Sequence, residues 1–261
     1  MGEVIVLTGG KGGVGKSTLA ANLGICLVRR GKHVVLVDMD MGLRSLDVML
    51  GLEDKVVFDL SDVAEGMCRV KQAVVKHGEI EGLSLVNASQ MRGHDALTPR
   101  QLERVLSQLK QRFDYVLIDC PAGVGRGFRN ALTHADGAMI VVTPDVVSMR
   151  SAARVIGLLE HAGVKSLGLV INRATHHHMD ESLGVSPQAF EDKLRAQVIG
   201  LIPEQADMCE CLSDGKPAAL GQDKAATAFE DIARRLLGEP VPIEMIKRDT
   251  LWKRIAQAWR G

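Results

Sequence analysis

A short apolar run, Val4-Ile5-Val6-Leu7, leads into a glycine-rich stretch that reads Gly10-Lys11-Gly12-Gly13-Val14-Gly15-Lys16-Ser17-Thr18. Leucines then recur at helical spacing, at positions 19, 23 and 27. The order is strand, loop and helix, and the loop fits the pattern GxxxxGK[ST], which indicates phosphate binding in that structural setting. The stretch therefore predicts a P-loop, and the alternative is a glycine-rich turn that only looks like one.

The residue types of this loop suit a nucleotide with several phosphates. Glycines let backbone N–H groups turn inward and approach phosphate oxygens closely, and the helix N-terminus adds partial positive charge. Lys16 is expected to reach the β- and γ-phosphates, and the Ser17 hydroxyl to bind Mg²⁺. The predicted nucleotide-binding residues of the loop are Gly10, Lys11, Gly12, Gly13, Val14, Gly15, Lys16, Ser17 and Thr18.

Short β-branched runs alternate with helical patterns along the chain. The predicted strands are Val4–Leu7, Val34–Val37, Leu83–Val86, Tyr115–Ile118, Ala138–Val142, Leu167–Ile171 and Val198–Ile202. The predicted helices are Lys16–Arg30, Leu102–Lys110, Met149–Ala162, Gln188–Arg195 and Ala225–Leu237. Several strands are apolar throughout, as in a parallel sheet covered on both faces. The pattern predicts an α/β P-loop fold with a single doubly wound, mostly parallel sheet and helices on both faces.

Three carboxylates follow predicted strands directly. Asp38 and Asp40 come after Val34–Val37, and Asp119 comes after Tyr115–Ile118. Ligands of open α/β sheets gather at the carboxyl ends of the strands, so these acids are candidates for the metal site. Asp119 is expected to hold Mg²⁺ through its water shell. Acids in surface loops are common, and this remains the alternative for the pair after the second strand.

The loop carries a second lysine, Lys11, and therefore reads KGGxGK[ST]. In this it resembles the deviant Walker A (ParA/MinD) family of P-loop ATPases. The resemblance implies a slow, Mg²⁺-dependent hydrolysis of ATP to ADP and phosphate in a homodimer. It makes Lys11 and Lys16 catalytic, with Lys11 reaching across the dimer to the partner's phosphates. A solvated loop lysine is the alternative for Lys11.

The same resemblance implies further site residues. It places Asp38 near the metal, beside Ser17 and Asp119, and gives Asp40 the task of positioning the attacking water. It also suggests adenine contacts after two later strands. The candidates there are Asn172, Arg173 and Pro203. An ordinary loop Asn and a strand-ending Pro are the alternative.

Two stretches, Asp38–Asp47 and Ala88–Leu97, resemble the MinD branch of that family. This branch selects the bacterial division site. The resemblance implies recruitment of a division inhibitor of the MinC type and an ATPase activator that is MinE-like or a topological equivalent. Arg44 and the segment Ser148–Arg154 are candidates for that surface. The expected location is the cytoplasm, peripheral on the inner face of the cell membrane.

The composition changes at Gly238-Glu239-Pro240-Val241-Pro242, which predicts an ATPase domain over 1–238 and a linker with a C-terminal helix over 239–261. Five basic residues and one acid lie between Lys247 and Gly261, together with both tryptophans of the chain. On a helix, the apolar residues would share one face with basic flanks, which is typical of an interfacial membrane anchor. The alternative is a helix packed on the body. The predicted membrane residues are Leu251, Trp252, Lys253, Arg254, Ile255 and Trp259.

Composition weighs against the other functions in this family. The 32 basic and 32 acidic residues balance, so a body that coats DNA, as in a ParA-like partition ATPase, is not expected. The five cysteines include no CxxC pair, which disfavours a metal-cluster carrier and favours a reducing compartment. The P-loop begins within ten residues of Met1, so we expect neither a signal peptide nor the activator segment of flagellar-placement ATPases.

Overall fold

The computed structural model describes residues 1–40, 45–87, 97–179, 185–205 and 208–246. These residues form an eight-stranded sheet with helices on both faces. The strands are β1 Glu3–Thr8, β2 Val34–Asp38, β3 Val75–Lys76, β4 Leu83–Val86, β5 Tyr115–Asp119, β6 Gly137–Val142, β7 Lys165–Ala174 and β8 Val198–Pro203. The helices are α1 Lys16–Arg29, α2 Ser45–Met49, α3 Leu60–Ala64, α4 Val70–Ala73, α5 Pro99–Lys110, α6 Arg126–Leu132, α7 Val146–Ala162, α8 Pro187–Leu194, α9 Met208–Ser213 and α10 Lys224–Leu236.

The sheet order is β3-β4-β2-β5-β1-β6-β7-β8, and every pair except β3-β4 is parallel. The carboxyl ends of seven strands therefore meet at one edge of the sheet. The strand β1 lies near the middle, between β5 and β6, so the P-loop that follows it stands at the centre of this edge. The predicted doubly wound, mostly parallel sheet is confirmed.

The continuous apolar runs are explained by two cores, one on each side of the sheet. In β1, Val4 and Val6 face one core, while Ile5 and Leu7 face the other, and all four are fully buried. Helices α1, α2 and α10 contribute to the second core, and α3 to α8 contribute to the first. A strand buried on both faces needs apolar residues at every position, which is why alternation is absent.

Each predicted strand and helix is found, with ends that differ by a few residues. A capping box begins α5, because Thr98 Oγ1 accepts from the Gln101 N–H at 3.3 Å and Gln101 Oε1 accepts from the Thr98 N–H at 2.9 Å. The predictions missed the antiparallel edge strand β3 and the short helices α2, α3, α4, α6 and α9. These elements have seven residues or fewer, too short to show a hydrophobic period.

The predicted linker begins where α10 ends, and Gly238 takes a positive φ of 86° there. The next residues remain attached to the body, since the Arg235 guanidinium donates to the carbonyls of Val241 at 2.9 Å and Pro242 at 2.6 Å. The predicted membrane residues and Arg44, a predicted partner contact, lie outside the described residues. The predicted membrane residues are Leu251, Trp252, Lys253, Arg254, Ile255 and Trp259. No helix in the described part is long and apolar enough to cross a membrane.

Candidate nucleotide and metal site

The P-loop connects β1 to α1 and contains two residues with positive φ, Gly13 at 73° and Gly15 at 97°. A Cβ at position 15 would lie 2.1 Å from Nδ2 of Asn172, so any side chain there would collide as well as strain the backbone. Gly15 is also the N-cap of α1 and supplies no side-chain hydrogen bond to the helix. The first N–H groups of α1 are therefore available to an anion lying in the loop.

Asn172 supports this loop from the end of β7. Its Nδ2 donates to the carbonyl of Val14 at 2.9 Å, and its Oδ1 accepts from the Arg173 N–H at 2.9 Å. The side chain is buried, and this bond joins residues far apart in the chain. Asn172 therefore helps to shape the phosphate loop, a role that the sequence did not indicate. Its predicted contact with adenine stays a prediction.

The other two candidates for the base pocket lie at the same edge of the sheet. Arg173 is exposed and has a φ of 56°, and it lies between the buried residues Asn172 and Ala174 near the end of β7. Pro203 is half-buried at the end of β8, where it pairs in register with Ala174. Their location fits the prediction, and the described geometry assigns them no further role.

Lys16 is the first residue of α1 and is only 6% exposed. Its ammonium lies close enough to the carboxyl of Asp119 to lower the pKa of that group. The long side chain is thus buried with a charged head directed into the site rather than into solvent. A lysine in this position can neutralise phosphate charge in a region of low dielectric, where the attraction is strong.

Asp38 and Asp119 face each other in register at the ends of β2 and β5, and both are fully buried. Burial raises the pKa of each carboxyl well above its usual value. Repulsion from Asp40 and Asp47 raises the pKa of Asp38 further, and repulsion from Asp38 raises the pKa of Asp119. Asp38 is partly compensated, because its oxygens accept from the Asp40 N–H at 2.9 Å and the Leu46 N–H at 3.3 Å. Two such groups side by side need a cation.

Neither oxygen of Asp119 completes a hydrogen bond of normal geometry among the described residues, although the Ser17 hydroxyl lies beside it and lowers its pKa. Within the same residues, no group of three or more His, Cys, Asp or Glu side chains could hold a metal by itself. Mg²⁺ is usually held by one or two carboxylates and by substrate phosphates, with several waters retained. The predicted ligands Ser17, Asp38 and Asp119 are therefore brought together in an arrangement that fits Mg²⁺ bound with a nucleotide.

Lys11 differs from Lys16 in its surroundings. Its side chain is 47% exposed, and its Nζ lies 3.8 Å from Oδ2 of Asp145, the residue that caps the N-terminus of α7. An ion pair this exposed contributes little to stability. Beside it, Val146 and Val147 are more than half exposed. Lys11 is therefore at the surface of the site, next to an apolar patch, and is not buried with the metal ligands.

Sequence reasoning missed one buried polar contact near this site. Asn87, at the end of β4, donates through Nδ2 to the carboxylate of Asp47 at 2.9 Å, and both side chains are almost completely buried. The signal was available, because Asn87 follows a parallel strand as Asp38, Asp119 and Asn172 do.

Comparison with known proteins identifies the family. The family described as "ParA: NUBPL iron-transfer P-loop NTPase" matches residues 1–237. The septum site-determining protein MinD of Bacillus subtilis is 42% identical over 95% of this chain and 93% of its own. Two solved structures agree over nearly their whole length. The MinC:MinD cell division protein complex of Aquifex aeolicus has a TM-score of 0.86 at 40% identity, covering 94% of this chain and 98% of its own.

The second structure is MinD of Pyrococcus horikoshii complexed with Mg-ADP, with a TM-score of 0.82 at 30% identity, covering 90% of this chain and 96% of its own. Fold, phosphate loop and full-length similarity agree. The chain belongs to the ParA/MinD family of deviant Walker A P-loop ATPases, and the proteins that it resembles over nearly their whole length include MinD septum site-determining proteins.

Proposed function

We propose that this chain is an ATP-dependent, membrane-associating ATPase that positions the bacterial division site. In this proposal ATP joins two copies, the dimer binds the membrane and recruits a division inhibitor of the MinC type, and hydrolysis releases it. The proposed ATPase activity rests on the buried Asp119. Its carboxyl oxygens have no hydrogen-bond partner of normal geometry among the described residues, and it lies beside Ser17 and Lys16 at the mouth of the P-loop. Membership in the family supports the division-site part.

The chemistry follows from the roles of these side chains. Mg²⁺, when bound with ATP, supplies positive charge to the β- and γ-phosphate oxygens. Ser17, Asp38 and Asp119 hold it in place, and Lys16 neutralises the same phosphates. The half-buried Asp40, whose N–H is held by Asp38, positions the attacking water. Phosphoryl transfer needs placement and charge stabilisation rather than a covalent intermediate, and this arrangement offers both.

The exposure of Lys11 supports a role in trans. A lysine that lies at the surface beside Val146 and Val147 can enter the site of a second copy when the two P-loops face each other. It would stabilise the charge of the transition state there, as an arginine finger does in other NTPases. Hydrolysis would be slow in a single copy, because this charge arrives only with the partner. A MinE-like activator would act on the assembled pair.

Lys11→Ala is expected to keep the affinity for ATP within about threefold of the wild type. The side chain is exposed and makes only a weak contact with its own site, so it contributes little to binding there. It should lose the ATP-dependent dimer and roughly 10³-fold of the stimulated hydrolysis rate, the effect of removing a trans-acting cation. Light scattering after size exclusion, with a non-hydrolysable ATP analogue, measures the dimer. Lys76→Ala, an exposed lysine on β3, is the control. Normal dimerisation and hydrolysis by Lys11→Ala would remove the trans role.

The proposed anchor, with Trp252 and Ile255 among its apolar residues, is weak enough to be switched. Each basic residue near an anionic leaflet contributes about 1 kcal/mol, and a few inserted apolar side chains add several more. Two anchors held in one dimer gain effective concentration, which raises avidity by roughly 10²–10⁴. ATP-dependent dimerisation would therefore determine membrane binding without any change in the anchor itself.

Co-sedimentation with vesicles of anionic phospholipid tests this switch with the intact chain. We expect at least about tenfold stronger binding with the ATP analogue than with ADP, the lower end of the avidity gain. Ile255→Glu should abolish it, since it places a charge on the apolar face at a cost of about 2 kcal/mol or more per tail. Gln257→Glu, which adds the same charge on the opposite face, should retain most binding. Equal binding with both nucleotides, or binding to DNA in place of vesicles, would contradict the proposal and favour a partition ATPase.

A further inference from the structure

Two backbone N–H groups, one before and one after residues 41–44, donate to the same carboxylate. Asp38 accepts from the Asp40 N–H through Oδ1 and from the Leu46 N–H through Oδ2. Leu46 belongs to the short helix α2, so the orientation of Asp38 depends on where α2 lies. A helix of five residues cannot hold itself in place by its own hydrogen bonds. Its position must come from contacts with the rest of the protein, which include α1, α9 and the sheet.

One such contact is polar and fully buried. The carboxylate of Asp47, the residue after Leu46, accepts from Nδ2 of Asn87 at 2.9 Å. Asn87 is 1% exposed at the end of β4, which pairs with β2 up to Val86 and Val37. Its carbonyl accepts from the Leu60 N–H at 2.8 Å, so its backbone is also held. Asn87 thus connects a fixed point of the sheet to the helix that supports Asp38.

The nature of the side chain indicates that this contact is more than packing. Oδ1 of Asn87 has no hydrogen-bond partner among the described residues, although the atom is buried. A buried polar atom without a partner is unfavourable, and an apolar residue would suit a strand end between two cores better. The fold accommodates this amide because its Nδ2 donates a hydrogen bond to Asp47.

We infer that Asn87 is a positioning residue for hydrolysis: it fixes α2 through Asp47, and through Leu46 it orients Asp38 and the segment of Asp40. The Asn87 amide donates to Asp47, which is not one of the proposed metal ligands. Loss of its amide should therefore affect the hydrolytic step more than nucleotide binding. The inference rests on the ATPase activity proposed above and adds a residue to it.

Asn87→Ala in the full chain tests this, with Asn130→Ala as the matched control. Asn130 donates from Nδ2 to the Leu97 carbonyl at 3.1 Å, so the control also loses one amide hydrogen bond, on α6. We expect Asn87→Ala to lower kcat by about ten- to a hundredfold, as misplacement of a catalytic group does, with KM and ADP affinity changed by less than about threefold. Asn130→Ala should leave kcat within about twofold.

Hydrogen exchange at the Asp40 and Leu46 amides gives a readout independent of turnover. In the nucleotide-free protein, both amides should exchange at least about tenfold faster in Asn87→Ala than in the wild type, because local opening becomes easier. The control should show no change there. Should Asn87→Ala fail to fold, Asn87→Ser, which is too short to reach Asp47, is expected to give the same pair of effects.

The outcomes separate the two proposals. The proposed ATPase activity is overturned if the wild-type protein binds ATP but does not hydrolyse it, with or without an activator. In that case the hydrogen-exchange measurement alone tests the role of Asn87. A wild-type protein that hydrolyses ATP, with Asn87→Ala unchanged in both kcat and exchange, overturns the role of Asn87 alone. Equal losses of kcat and affinity in Asn87→Ala and Asn130→Ala would reduce it to a structural residue.

Discussion

Lys16→Ala is expected to remove measurable ATP and ADP binding. Each charged hydrogen bond to phosphate contributes about 1.5–3 kcal/mol, and two of them correspond to a loss of roughly 100-fold or more in affinity. Lys16 is buried beside Asp119, so its loss also leaves that carboxylate without its nearest described cation.

Titration calorimetry with ATP and Mg²⁺ measures this effect. Lys55→Ala, which removes an exposed lysine from a short helical turn outside the site, is expected to bind as the wild type does. Circular dichroism should show that both variants are folded, since the glycine geometry of the loop and the Asn172 contact with Val14 do not depend on the Lys16 side chain. Affinity within a few-fold of the wild type would show that the P-loop assignment is wrong.

Asp119→Asn is expected to stabilise the nucleotide-free protein while abolishing its activity. Burial raises the pKa of Asp119, so above the ordinary value of 3.8 the unfolded chain releases a proton that the folded chain retains. The free energy of unfolding of the wild type therefore falls as pH rises from 3.8 towards the raised pKa. The asparagine side chain of the variant does not ionise and so avoids this loss. The gain of the variant over the wild type should grow across that interval and then level off.

The same replacement removes a ligand of the proposed Mg²⁺ site. Because the metal supplies several kcal/mol of charge stabilisation in the transition state, hydrolysis should fall by roughly 100-fold or more, and ATP binding should lose its dependence on Mg²⁺. Such a trade-off between stability and activity is common where function needs a buried charge that the protein itself does not compensate. Thermal unfolding between pH 4 and 8 measures the first effect, and binding with and without Mg²⁺ measures the second.

Asp136→Asn is a control that should change the free energy of unfolding in the opposite direction to Asp119→Asn. Burial alone would raise the pKa of Asp136, but hydrogen bonds from Lys110 at 2.7 Å and from the Val4 N–H at 2.8 Å outweigh it and lower the pKa. This carboxylate stabilises the fold above its unfolded pKa, so its replacement should destabilise the protein at neutral pH. If both variants shifted stability in the same direction, the account of Asp119 as an uncompensated buried charge would be wrong.

Short-range features of the sequence were enough for most of the fold and for the phosphate loop. A P-loop is contiguous, and its glycines, Lys16 and Ser17 act through backbone conformation and side-chain length, both local properties. Strands buried on two faces are apolar at each position, so their order along the chain could be read directly. Short elements such as α2 and β3 could not be predicted, because two to five residues show no period and their structure depends on what packs against them.

The sequence by itself determined which residue types stand in the phosphate loop and at the ends of strands, and therefore the list Lys16, Asp38, Asp119 and Asn172. Only the tertiary structure decided what each one contacts. The strand order places β2 and β5 side by side, so that Asp38 and Asp119 meet although 81 positions separate them. It also sets Asn172 against Val14 and Asn87 against Asp47. The physical reason is that burial, pKa and hydrogen bonding depend on neighbours in space, and those neighbours come from parts of the chain that no local pattern connects.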